Sequence, residues 1–343
     1  MTLSDEGTKT HESRIGPLRV TGVLQASFEA TCFEALSPEA QHTRVWRWPA
    51  EALSKLSIPG IAHLIDTMQD IEMAGVAKIV HGSVSTDHAV LAFTRPAGKA
   101  LRDYLQRGKN SPLESIRSAL ALIDALIALR SIGLRGAWWT PDTLWVLDDE
   151  AQWTLGAPGL ASVVHTDCVS RVEEVVFRAP ESTQVKELSL LEDQYYAAIA
   201  SYALGATLYY SLIGEFPFSA ASPEAYLKAQ QEGVAPTIEA KDNQLGDYGQ
   251  LSLTIAQCLE LEPMQRPKSL EEIRRMLEEA EQEARFQHSR VDFLPARVSE
   301  THQMPRPTRA GEGEKPSERE RSKFLPLLAL ISLVAIALFL IGR

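Results

Sequence analysis

The chain has 343 residues, enough for one large domain or two smaller lobes, and is 45% hydrophobic and 7% aromatic, as folded proteins are. A formal net charge of -11 without a basic stripe excludes a reader of phosphate backbones, because such proteins cluster Lys and Arg to release counterions. Three cysteines, Cys32, Cys168 and Cys258, stand far apart without metal-ligand spacing, so a reducing compartment and no metal site are expected.

In chain order, residues 1–16 are polar, carry no apolar stretch of a secretory signal and are expected to be disordered. The segment RVTGVLQASFEATCFEAL then reads as strands. TRVWRWP alternates, placing Val45 and Arg47 on one face and Arg44, Trp46 and Trp48 on the other. IAHLIDTMQDIEMAG is helix-like, and KIVHGSVSTDHAVLAF resembles a hairpin with a polar turn. In PLESIRSALALIDALIALRSIG, Ile116, Leu120, Ile123 and Ile127 recur at helical spacing, with Gly133 as the stop. RGAWWTPDTLWVLDDE follows, three tryptophans beside a Thr-Pro-Asp-Thr turn. Tyr195 to Ile213 predicts a longer apolar helix ended by Gly214, and LSLTIAQCLELEPMQRPKSLEEIRRMLEEAE predicts two more.

The end of the chain changes character. Residues 287–323 mix Pro, Gly, Glu and Arg and read as a disordered linker. Residues 324–342, FLPLLALISLVAIALFLIG, carry no charge and match a hydrocarbon core of about 30 Å, predicting a transmembrane helix. Arg319, Arg321 and Lys323 precede it and only Arg343 follows, so everything upstream is expected in the cytoplasm.

Four stretches carry a family resemblance. FRAPE (177–181), SYALGATLYYSLIGEFPF (201–218), LELEPMQRP (259–267) and PAGKALRDYL (96–105) resemble, in order and spacing, segments of bacterial-type Ser/Thr protein kinases. The resemblance implies an α+β bilobal fold over residues 17–286, with a β-rich lobe to about 95 and a helical lobe from about 96.

It also implies where kinase chemistry belongs, and the residues there do not suit it. The glycine positions of the phosphate loop become Gln25, Ser27 and Ala30, whose side chains impede approach of backbone N–H groups. The strand lysine becomes Arg47, with Asp66 as its candidate partner, and the small alanine near it becomes Val45. The catalytic base becomes Trp138, the catalytic lysine Thr140 and the metal-binding Asn Thr143, while Trp145 replaces the leucine beneath adenine. Indole has no lone pair suited to general base work. Ala157 and Pro158 replace the Asp and Phe of Asp-Phe-Gly, and a methyl group cannot ligate magnesium; only Gly159 is kept. Glu181 and Arg266, by contrast, match a structural ion pair of the family.

The resulting expectation is a degenerate, membrane-anchored pseudokinase: a scaffold or allosteric partner of a cytoplasmic protein, without phosphotransfer, nucleic acid or resident metal. Weak ATP binding without the usual magnesium ligands stays open, as does phosphorylation of Thr166 or Ser170. Two alternatives also stay open, a divergent active Ser/Thr kinase or nucleotidyl transferase and a membrane-tethered docking module without a nucleotide role.

Overall fold

Alternating side chains build the first lobe. Strands β1 (Arg14–Ile15), β2 (Leu18–Val23), β3 (Thr31–Leu36), β4 (His42–Pro49), β5 (Ile79–Val84) and β6 (His88–Thr94) form one antiparallel sheet in the order β1-β2-β3-β4-β6-β5. β4 runs between β3 and β6, so both its edges are hydrogen-bonded. Val45 joins a small apolar cluster with Leu18, Ala35, Val90 and Ala92. Trp46 and Trp48 belong to the main core with Cys32, Leu91 and Phe93 on the opposite face, as period-two alternation requires. Helix α1 (Ile58–Met68) starts at Ser57, whose hydroxyl accepts the Gly60 N–H at 3.2 Å, and buries Ile61, Leu64 and Met68.

The computed structural model describes residues 14–69, 71–134, 139–148, 152–165, 169–184 and 193–293, all within a unit that ends at Leu294. The expected membrane helix at 324–342 lies outside the described residues. Among the described residues, no helix is long and apolar enough to cross a membrane.

The second lobe opens with β7 (Gly98–Ala100) and α2 (Leu101–Leu105), followed by α3 (Pro112–Ser131). Ser111 and Glu114 cap α3 reciprocally, Pro112 occupies its first turn, and Gly133 beyond its end takes φ 83°. Strand β8 (Leu144–Leu147) pairs with β7 on one side and with β9 (Trp153–Leu155) on the other in a second, three-stranded sheet. Helices α4 (Leu160–Val163), α5 (Asp193–Ile213), α6 (Pro223–Glu232), α7 (Ile238–Lys241), α8 (Gly249–Cys258) and α9 (Leu270–Phe293) complete the lobe. α5 is apolar nearly all round because α3, α8 and α9 pack on it from different sides.

Two expected boundaries shift. Pairing begins at Arg14, within the tail expected to be disordered through residue 16, because Arg14 and Ile15 hydrogen-bond with β2. α9 continues to Phe293, seven residues into the expected linker of 287–323, since QHSRVDF contains no Gly or Pro to stop it.

Candidate functional site: a cleft filled by its own side chains

The turn between β2 and β3 folds back on itself. Ser27 and Ala30 exchange backbone hydrogen bonds of 3.2 and 3.0 Å, and between them Phe28 and Glu29 sit at φ 54° and 58°. Side-chain-bearing residues cost about 1–2 kcal/mol each in that conformation, which is why Gly and Asn usually occupy it. Phe28 offsets the cost. Its ring is buried in the main core, its N–H donates to Glu174 Oε1 at 2.9 Å, and its carbonyl accepts from Trp48 Nε1 at 2.9 Å.

Glu174 ties that turn to the segment before FRAPE. The carboxylate is 1% exposed and also accepts from the Ser170 N–H at 2.8 Å, the Arg171 N–H at 3.2 Å and Arg171 Nε at 3.3 Å. A buried carboxylate is tolerable with that many donors and costly without them.

Arg171 carries the network into the cleft. Its Nη2 donates to Asp142 Oδ2 at 3.1 Å, and Arg102 Nη2 donates to the same oxygen at 3.0 Å. Arg44 Nη1 donates to the Asp142 carbonyl at 3.1 Å. Burial works against the Arg171 guanidinium, but Asp142 and Glu174 together outweigh it and raise its pKa. For Arg44, burial prevails over the pull of Asp142 and the pKa is lowered.

Trp145 forms the floor. The Arg44 guanidinium lies 4.8 Å from its ring centroid and that of Arg95 lies 5.4 Å away, a cation–π arrangement that Glu34 supports at 3.7 Å from Arg95. The indole fits because residue 156 is glycine: a Cβ there would stand 2.4 Å from the Trp145 ring. Beside this stack remains a cavity of about 210 Å³, bordered by Gln25, Ser27, Cys32, Trp46, Asp103 and Thr143 together with the three cleft arginines and Asp142. Burial pushes the Cys32 thiol up to about 12, so it stays protonated and unreactive.

Solved structures place this architecture. A crystal structure of Rad53 in complex with AMP-PNP is similar at a TM-score of 0.59 and 16% identity, covering 75% of this chain and 64% of that one. A double mutant of the Mycobacterium tuberculosis PknI kinase domain gives 0.57 and 14%, covering 83% and 100%, and a single mutant of that domain gives 0.57 and 13%, covering 82% and 99%. The chain has a protein-kinase-like fold. No protein-family profile and no curated protein sequence matches it.

Within the kinase-like domain, the position expected at Arg47 requires correction. Arg47 is exposed, whereas Val45 borders the cavity as expected while also packing in the outer apolar cluster. The strand presents Arg44 and Trp46 to the cleft in place of Arg47, so an indole stands where a lysine was sought. Asp66 is exposed and partners neither; α1 directs Leu64 inward, 2.7 Å from where a Cβ on Gly159 would sit. That contact, with φ 73°, accounts for the one glycine kept from Asp-Phe-Gly.

The remaining expected positions are buried or bordering the cleft. Gln25 is exposed, whereas Ser27 and Ala30 are buried by their mutual pairing. Thr140 and Thr143 satisfy each other: Thr143 Oγ1 accepts the Thr140 N–H at 2.9 Å, and the hydroxyls lie 3.2 Å apart. Ala157 is buried, and Trp138 lies outside the described residues. Trp139 anchors the same loop to α5 by donating to Thr207 Oγ1 at 2.9 Å.

Glu181 and Arg266 meet far from the cleft. Arg266 Nη1 and Nη2 donate to the two carboxylate oxygens at 2.7 and 3.0 Å. Its other N–H groups reach the carbonyls of Ala198, Leu261 and Glu260 at 3.0, 3.0 and 2.7 Å, and its guanidinium lies 4.9 Å from the Tyr202 ring centroid. Every donor of this buried fork is therefore matched.

Sequence reasoning passed over Phe28, Arg44, Asp142, Arg171 and Glu174, and placed Trp46 only in a segment bordering the cleft. The signal for Arg44 and Trp46 was the alternation of TRVWRWP, whose two-tryptophan face is the one a core would take.

Proposed function

We propose that this chain is a pseudokinase, a kinase-like domain that serves as a scaffold or allosteric partner and transfers no phosphoryl group. One observation carries the reading: Arg44 and Arg95 lie on Trp145 where adenine would stack, and Arg102 and Arg171 occupy the one carboxylate of the Thr-Pro-Asp-Thr turn. The residues do not fit magnesium-ATP. The cavity of about 210 Å³ is below the roughly 300–1,000 Å³ of sites for drug-sized ligands. The Ala157 side chain offers no oxygen to a metal, and the β2–β3 turn carries Gln25, Ser27 and Ala30 in place of flexible glycines and buries Phe28 between them. Phosphoryl transfer depends on positioning and charge neutralisation, and neither is supplied here.

The uncharged run at 324–342 supports a membrane-anchored form of this reading, with the kinase-like domain on the cytoplasmic side. An active enzyme is the competing reading, and Asp142 is the acid it would need. Incubating the full chain with ATP and Mg²⁺ or Mn²⁺ distinguishes them: transfer is expected to equal that of buffer. Turnover abolished by Asp142→Asn would establish the enzyme instead.

A further inference from the structure

Two buried donors in the cleft have no acceptor among the described residues: Arg44 Nε and Trp46 Nε1. Both residues border the same cavity, and Trp46 is only 4% exposed. A buried N–H without an acceptor has lost the hydrogen bond it made in water, and a ligand atom that accepts from it regains that energy. Trp153 Nε1 is likewise unmatched, but Trp153 does not border the cavity.

Donor geometry and size indicate what would accept. The guanidiniums of Arg44, Arg102 and Arg171 and the carboxylates of Asp103 and Asp142 border the cavity, while Glu173 and Glu174 approach Arg102 and Arg171 at 3.8 and 3.3 Å. Asp142 Oδ2 already takes one N–H from each of Arg102 and Arg171, which leaves both forks with further donors. At about 30 Å³ per water, 210 Å³ corresponds to roughly seven waters, ample for a five-atom oxyanion. Planar guanidinium forks match the oxygen edges of such an ion, and an indole N–H adds a neutral donor from a fixed ring.

We propose that the residual cavity binds a small phosphate-type oxyanion, free phosphate or the phosphate of a small metabolite, held by Trp46 Nε1–H, Arg44 and the remaining N–H groups of Arg102 and Arg171. This rests on the closed-cleft reading above and adds a ligand to it. The anion enters beside the Arg44–Trp145 stack and links β4 of the first lobe to Arg102 of the second and Arg171 of the segment before FRAPE. Occupancy thus couples the lobes to that segment, and the ligand would act as a regulator of whatever surface they jointly present.

Thermal unfolding of the full-length chain in detergent tests this, with inorganic phosphate titrated against chloride at constant ionic strength and acetate in a parallel series. Phosphate is expected to raise Tm with the logarithm of its concentration above Kd, by about 5 °C at a hundredfold excess over Kd, while acetate and chloride do not. Trp46→Phe keeps the ring and removes the donor, and should weaken phosphate binding about ten- to a hundredfold; Trp153→Phe should leave it unchanged. If Trp46→Phe does not fold, Arg44→Gln serves, with the same weakening expected. No rise of Tm with phosphate, an equal response to acetate, or a response indifferent to Trp46→Phe and Arg44→Gln overturns the inference. Silence from both phosphate and magnesium-ATP sinks it alone, whereas a response to magnesium-ATP without one to phosphate sinks the closed cleft too.

Discussion

Two arginine–carboxylate assemblies in this molecule differ in a telling way. At Glu181, one fully buried arginine meets one carboxylate through two parallel bonds, and its leftover donors all find carbonyls. At Asp142, Arg102 and Arg171 share one carboxylate oxygen, Arg44 takes the backbone carbonyl, and a cavity with unmatched donors lies alongside. The first arrangement is a fastener with nothing left to give. The second pairs the cleft's charges with one another and leaves some donors unmatched.

The largest effect should come from opening the fastener. Arg266→Met leaves Glu181 without its partner and should cost about 3–5 kcal/mol in chemical denaturation. Glu174→Gln should cost less, about 1.5–3 kcal/mol, because the amide keeps some bonds; it should also speed amide exchange across residues 24–30, since the Phe28 N–H loses its charged acceptor. Cys32 tests whether the cleft is dry. The unfolded thiol releases its proton above its ordinary value of 9.0, while the folded one holds it to about 12, so stability should fall as pH rises through that window. Buried Cys258, at about 11, contributes in the same direction, so the diagnostic is the difference made by Cys32→Ala: a slope shallower by up to about 1.4 kcal/mol per pH unit. The smallest effect is expected at Arg47, where substitution by Ala should stay within about 0.5 kcal/mol, against a clear loss for Arg44→Met on the opposite face.

That last pair marks where the sequence was legible and where it was not. The order of strands and helices follows from periodicity and caps, as in the Ser111–Glu114 box of α3 and the apolar length of α5. The contexts of Glu181 and Arg266, FRAPE and QRP, pointed to each other across 85 residues. In β4, however, the two faces were evident but their direction was not. Matching a lysine position by charge selected Arg47, whereas the sheet buries whichever face carries more apolar area, and a shift of one residue exchanges every side chain between faces. The Asp142 network joins residues 29, 40 and 98 positions apart, and nothing local to Arg44, Arg102 or Arg171 announces that they converge. The tight β2–β3 turn was hidden for a different reason: Phe28 and Glu29 adopt positive φ without glycine, so turn chemistry gave no sign of it.

A crystal structure of the chain grown with magnesium and AMP-PNP examines the closed cleft most directly. The account predicts the Arg44 guanidinium against Trp145, Phe28 beneath Glu174, and no nucleotide between the lobes. Adenine stacked on Trp145, with the metal bound to Asp142, would contradict it.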